Sequence, residues 1–166
     1  MQLFILDYAP EAAATMLCDV HLRKMCLETS QILSSVLHNR HIAPFPDMPK
    51  AYNPAHPVIR ALNTPAKINW CIIYNDALHR EYTCRFDRIH AYASLCGMYR
   101  KILFVPQVPL LPETLDFARN FKDIEISIPD IVEAYREYYR YKKLILRRWQ
   151  YTRRPEPAWL NKPSAV

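Results

Sequence analysis

CDVHLRKMCLETSQ, residues 18–31, has the periodicity of an amphipathic helix, and the helical character of the chain is clearest here. Leu22 and Met25, continued by Ile32, Leu33 and Val36, recur at helical spacing and define one apolar arc. Beside that arc His21, Lys24 and Glu28 stand at i, i+3 and i+7, within about 60° on a helical wheel. Gln31 and Ser35 extend the same polar line. A base, an amine and a carboxylate bordering a core face make either a reaction site or a hydrogen-bonded seam. Lysine before glutamate at i, i+4 is the weaker order for a surface ion pair, so stability alone explains the pattern poorly.

Outward from this stretch, the chain alternates helical periodicity with proline-rich connections. Residues 2–6 (QLFIL) suit a short strand or a buried extended arm. Asp7 and Pro10 mark a helix start, and the pattern predicts helix to about residue 39 with a break near 17. Residues 40–57 contain five prolines and must be a loop, with a turn of helix after His56-Pro57. Asn63-Thr64-Pro65 places a polar cap before a first-turn proline, which predicts a helix through AKINWCIIYNDALHREYTCRF. DRIHAYASLCGMYRKIL reads as a further helix ending before Val105-Pro106. IPDIVEAYREYYRYKKLILRRWQ opens with proline and acids and closes on basic residues, as the helix dipole favours. The tail is irregular, with Trp159 as its anchor. The expected fold is therefore an all-α, single-domain helical bundle over residues 1–166 with long proline-rich loops, its basic aromatic helix and tail spanning 129–159.

Composition narrows the function. A single glycine, Gly97, excludes glycine-rich phosphate loops, so P-loop and dinucleotide-binding readings fall away. The five cysteines form no CxxC pair, and the start lacks the pattern of a secretory signal; reduced thiols and a cytoplasmic location are expected, with no membrane partner. Histidines 38, 41, 56, 79 and 90 show no metal-ligand spacing, so neither a metal nor another cofactor is expected. The net charge is +6, yet residues 136–154 alone hold eight Lys/Arg against one acid, so this segment supplies the positive field.

Three groups of residues can carry chemistry. In the first stripe, a lysine beside apolar surface can act as a nucleophilic amine, a carboxylate one turn away can move protons, and His21 can assist. A second stripe follows Pro65: Tyr74, Glu81 and Arg85 share a face joined by Lys67, while Asn69, Asp76, Arg80 and Thr83 form an edge that looks solvated. Glu81 and Arg85 suit a structural ion pair. If the stripes face each other, Asp19, His56, Tyr74, Glu81 and Arg85 become substrate contacts beside Lys24 and Glu28. The third group is the basic segment, where Arg136, Arg140, Lys143, Arg147, Arg148 and Arg153 can neutralise phosphates and Trp149 can stack on bases. Its alternative is a core helix whose tyrosines pack inward.

Asp19-x-His21-Leu22, followed six residues later by Glu28, resembles the opening helix of the phage pyrimidine-dimer DNA glycosylases, also called phage-type endonuclease V. The strings LFILD, CDVHLRKMCLETSQ, HPVI, NW, EYTCRF, DIVEAYREYY and RPEPAW together look like a group of phage and bacterial proteins labelled with that activity. The resemblance implies a small, basic, all-α base-excision enzyme acting on duplex DNA at a damaged or modified base. It implies that Glu28 is the catalytic carboxylate and that His21 helps hold the DNA or the sugar. In that family an amino-terminal amine attacks the sugar, forms an imine and leads to strand cleavage. Here Gln2 is too large for methionine removal, so the amine is that of Met1 or of Lys24, or else water activated by Glu28 replaces it. The readings that stand are a DNA-repair N-glycosylase with or without abasic-site lyase activity, a non-catalytic nucleic-acid-binding module, and a hydrolase or transferase acting on nucleotides.

Overall fold

The computed structural model describes residues 2–161. Among these residues the chain is all-α, with six helices and no strand. They are α1 (Pro10–Thr15), α2 (Asp19–Asn39), α3 (Pro57–Arg60), α4 (Pro65–Phe86), α5 (Cys96–Leu103) and α6 (Ile131–Ile145). Prolines and caps set the starts. Thr64 Oγ1 accepts from Lys67 N ahead of Pro65, and Asp130 accepts from Glu133 N at 2.8 Å. Residues 2–6 form the extended arm rather than a strand, and Leu3, Phe4, Ile5 and Leu6 are all buried. Arg136 on α6 donates to Leu6 O at 2.9 Å, which holds the arm against that helix.

α2 and α4 pack through a polar seam inside the apolar core. Thr29 and Ser30 on α2 both donate to Asn75 Oδ1 on α4, at 2.8 and 3.2 Å, and Ser34 bonds Tyr99 of α5 at 2.9 Å. Buried groups paired in this way fix the register of the helices, because any slip would strand them. Around the seam, residues from the arm, all six helices and Leu160 of the tail form one apolar cluster.

One expected boundary holds and two others move. The break near 17 is real: Cys18 is extended (φ −68°, ψ 161°). Its backbone groups find partners elsewhere, since Arg85 takes the carbonyls of Thr15 and Leu17 while Cys18 N donates to Tyr139 Oη. α6 ends at Ile145, five residues short of the predicted end, because the following segment is drawn onto the start of α2. There Asp19 N donates to Gln150 O at 2.8 Å, and Thr152 N and Oγ1 donate back to the Asp19 carboxylate. The helix predicted from Asp87 begins only at a 3₁₀ turn, Ala93–Leu95, since Asp87 adopts the left-handed conformation that terminates α4. The edge of α4 expected to be solvated is also half covered. Asn69 is buried and exchanges hydrogen bonds with the backbone of Val105, whereas Arg80 and Thr83 are exposed.

Candidate active site

The polar stripe of α2 borders a cleft of about 260 Å³, with His21 and Lys24 on one wall and Gln2 and Phe4 of the arm on another. Lys122 and Asn120 come from the loop before α6, and Tyr138 and Lys142 from α6 itself. Three lysines therefore converge on one opening, which suits an anionic ligand. Burial, reinforced by the charges of Lys24 and Lys142, pushes the His21 imidazole down to about 4, so it is neutral near pH 7. Its Nδ1 lies 3.0 Å from Tyr139 Oη, which already accepts from Cys18 N. The Cys18 thiol lies 3.5 Å from the same nitrogen, so Nδ1 is held between two hydrogen-bonding neighbours. Phe4 and Trp149 pack against the ring and hold its orientation.

Glu28 is the unusual member. Its Oε1 stands 3.5 Å from Lys24 Nζ, while Oε2 is buried with no hydrogen-bond partner among the described residues. A buried carboxylate oxygen normally has a donor, and among the described residues Asp76 Oδ1 on α4 is also buried without one. Both amide atoms of Gln2, on the wall of the cleft, are likewise buried and unpartnered. Burial lowers the affinity of His56 for a proton, Lys122 adds to this, and Glu28 opposes it, so the His56 ring lies within electrostatic reach of both. His56 Nδ1 accepts from Val58 N at 3.2 Å and caps α3. The cleft thus takes His21 and Lys24 from the first stripe, with Glu28 joined to it through Lys24; Glu28 and His56 are not among its lining residues. It adds Gln2, Asn120 and Lys122, which the sequence reading missed. Those three sit in irregular chain, where no periodicity flags a face. Met1 lies outside the described residues.

The second stripe does not join this cleft. Arg85, with no exposed side-chain surface, donates to Glu81 at 2.7 Å, to Asp19 at 3.2 Å and to the carbonyls of Leu17 and Thr15. Arg154 from the tail clasps both oxygens of Glu81 at 2.9 and 2.8 Å. Burial alone would raise the Asp19 carboxyl, but the hydrogen bonds from Thr152 and Arg85 outweigh it and hold it below the usual range. Glu81 is held down the same way, burial losing to Arg154 and Arg85. Tyr74 is wholly enclosed and packs on Trp70. Expected as substrate contacts, Asp19, Tyr74, Glu81 and Arg85 are placed inside the protein instead, and none lines the cleft.

The basic segment divides similarly. Arg136 pairs with Asp7 and Glu133, Arg140 with Glu137, Lys143 with Glu156, Arg153 with Asp87 and Arg154 with Glu81. Trp149 donates to Glu156 and packs on Tyr139, so its ring serves the interior. Among the described residues, the cations of 136–154 without a carboxylate partner are Lys142, Arg147 and Arg148. Lys142 sits 4.9 Å over the Tyr138 ring on the cleft wall, and the two arginines are exposed just beyond it in sequence. Leu144 and Ile145 beside them are exposed as well, at 84% and 51%. Of these three cations, Lys142 lines the cleft and the two arginines lie on the exposed chain that follows its lining residues Ile145 and Leu146.

One further grouping was not legible from spacing: Cys26, His79 and His90 bring ligand atoms within 4.8 Å of one another on the α2–α4 side.

No helix among the described residues is long and apolar enough to cross a membrane. No curated protein and no solved structure gives a significant match to the chain. Residues 1–92, which carry the arm, α1 to α4 and therefore Glu28, match the family model described as pyrimidine dimer DNA glycosylase. The match spans more than half of the sequence, and the chain belongs to that family of enzymes.

Proposed function

We propose that this protein is an N-glycosylase that releases damaged or modified pyrimidines from duplex DNA, with Glu28 as its acid/base group. The observation that carries the reading is the buried, unpartnered Oε2 of Glu28 beside Lys24, at the edge of a lysine-lined cleft. A water molecule adding to the sugar C1′ gives its proton to Glu28 as the C1′–N bond breaks, and the bonding pair leaves with the base. Proton transfer of this kind contributes about 10²- to 10⁴-fold. Lys24, Lys122 and Lys142 balance the phosphates next to the sugar, and the neutral His21 forms part of the same wall. Tight access to the cleft requires the nucleotide to be turned out of the stack, which a lesion makes easier.

A second, more extended reading is favoured by the 3.5 Å pair of Lys24 and Glu28. The Lys24 amine, or that of Met1, attacks C1′ in place of water and the base departs with the bonding pair; the C1′–O4′ bond then opens to an imine, the amine proton passing to O4′, which becomes a hydroxyl. Glu28 then takes the sugar 2′ proton and the 3′ phosphate leaves. One assay separates the outcomes. Duplex DNA carrying a cyclobutane pyrimidine dimer should show cleavage of the glycosidic bond, and borohydride should trap a covalent adduct only if an amine attacks. Salt-sensitive binding without release of any base would leave a non-catalytic DNA-binding module.

A further inference from the structure

We infer that Cys26, His79 and His90 form a binding site for a divalent metal ion of the zinc class. Their ligand atoms lie within 4.8 Å of one another although they come from α2, α4 and the loop after α4. A tetrahedral zinc ion with bonds of about 2.0–2.3 Å needs donors about 3.3–3.8 Å apart, so closure asks each pair to approach by about 1.5 Å or less. One thiolate and two imidazoles are a donor set that such an ion prefers, and hard oxygen-seeking ions do not.

The independent sign is His79. It is 4% exposed, yet neither ring nitrogen has a hydrogen-bond partner among the described residues. Ring packing against His90, with centroids 5.0 Å apart, explains the plane of the ring but satisfies neither nitrogen. The other two donors are weakly engaged. Cys26 Sγ–H reaches Leu78 O at 3.6 Å, and His90 Nδ1 accepts from Tyr92 N at 3.3 Å, a bond that metal coordination would replace. His79 also lines a cleft of about 400 Å³ with Asp76, Arg80 and Cys96, which leaves room for water as the fourth ligand. Binding releases the Cys26 thiol proton to solvent while both imidazoles supply lone pairs. Because the three ligands sit on three segments, the ion would staple the 87–95 loop, where Ile89 is 81% exposed, to the helix that carries Glu28.

Cobalt(II) added to the reduced, chelator-treated full-length protein tests this. The expected result is uptake of one equivalent, with the visible bands of tetrahedral cobalt, a thiolate-to-cobalt charge-transfer band, and displacement by zinc. Cys26→Ser should abolish the charge-transfer band. His90→Gln, at a half-buried loop position and with an unchanged far-UV circular dichroism spectrum as its control for folding, should weaken cobalt binding by at least about 100-fold, since even an outer-shell partner is worth 10- to 100-fold. Cys84→Ser, at an exposed thiol, should leave the spectrum unchanged. No uptake, a charge-transfer band that survives Cys26→Ser, or one lost in Cys84→Ser would overturn the assignment.

Discussion

Two polar stripes of nearly the same composition have opposite fates. On α4, Glu81 and Arg85 are buried with Asp19, and every charge meets a counter-charge or a carbonyl. On α2, Lys24 is mostly exposed and Glu28 keeps one buried oxygen without a donor. Type and spacing do not distinguish them. The pairing of the carboxylates does: both oxygens of Asp19 and Glu81 are engaged, although Tyr74 Oη on the α4 stripe is buried without a partner, whereas Glu28 keeps one oxygen without a donor among the described residues.

Paired substitutions put that contrast to its strongest test. Glu28→Gln should lower the single-turnover rate of base release by about 10²- to 10⁴-fold while leaving the melting temperature and DNA affinity near wild type. Arg85→Met should do the reverse. It strands Glu81 and Asp19 in the interior and should cost about 3–5 kcal/mol in urea unfolding, with the residual folded fraction still turning over. Equal loss of fold and activity in both variants would erase the distinction between the stripes.

A smaller effect comes from pH. His21 is held neutral, with its proton affinity shifted from the usual 6.5 down to about 4. Between these values the unfolded chain binds a proton that the folded chain refuses, so stability rises with pH across the window and falls as pH drops from about 6.5 towards 4. The slope from one such group is at most about 1.4 kcal/mol per pH unit. His21→Gln should flatten urea midpoints measured from pH 4.5 to 6.5, and an unchanged slope would mean that His21 is already solvated.

Much of this was readable in the sequence, for reasons that also set the limit. Pro65 behind Thr64, and Asp130 before Ile131, fix helix starts locally, and the 3.6-residue period put Glu28 and His21 in register. What escaped is what depends on a distant partner. α6 stops at Ile145 because Asp19, more than a hundred residues earlier, captures Thr152. Asn69 looked solvated until the segment at Val105 folded back over it. Gln2, Asn120 and Lys122 reach the cleft from aperiodic chain, and Cys26, His79 and His90 converge from three segments with no common spacing.

The same contrast within 136–154 sets the smallest predicted effect. Five of its eight cations already serve carboxylates of the protein, and replacing one of those would disturb tertiary contacts together with any DNA contact. Arg147 and Arg148 are exposed and free of such partners, so their removal isolates the phosphate contribution. Each phosphate neutralised releases about 0.9 of a counterion from duplex DNA. Replacing both with alanine should therefore reduce the slope of log K against log salt by about 2, weaken binding alike on damaged and undamaged duplex, and leave the melting temperature unmoved. Arg153→Ala should instead give a smaller change in slope, because its guanidinium is already committed to Asp87 and to the carbonyl of Cys84. If Arg153 proved the stronger of the two perturbations, the DNA path would run along the tail rather than past the end of α6.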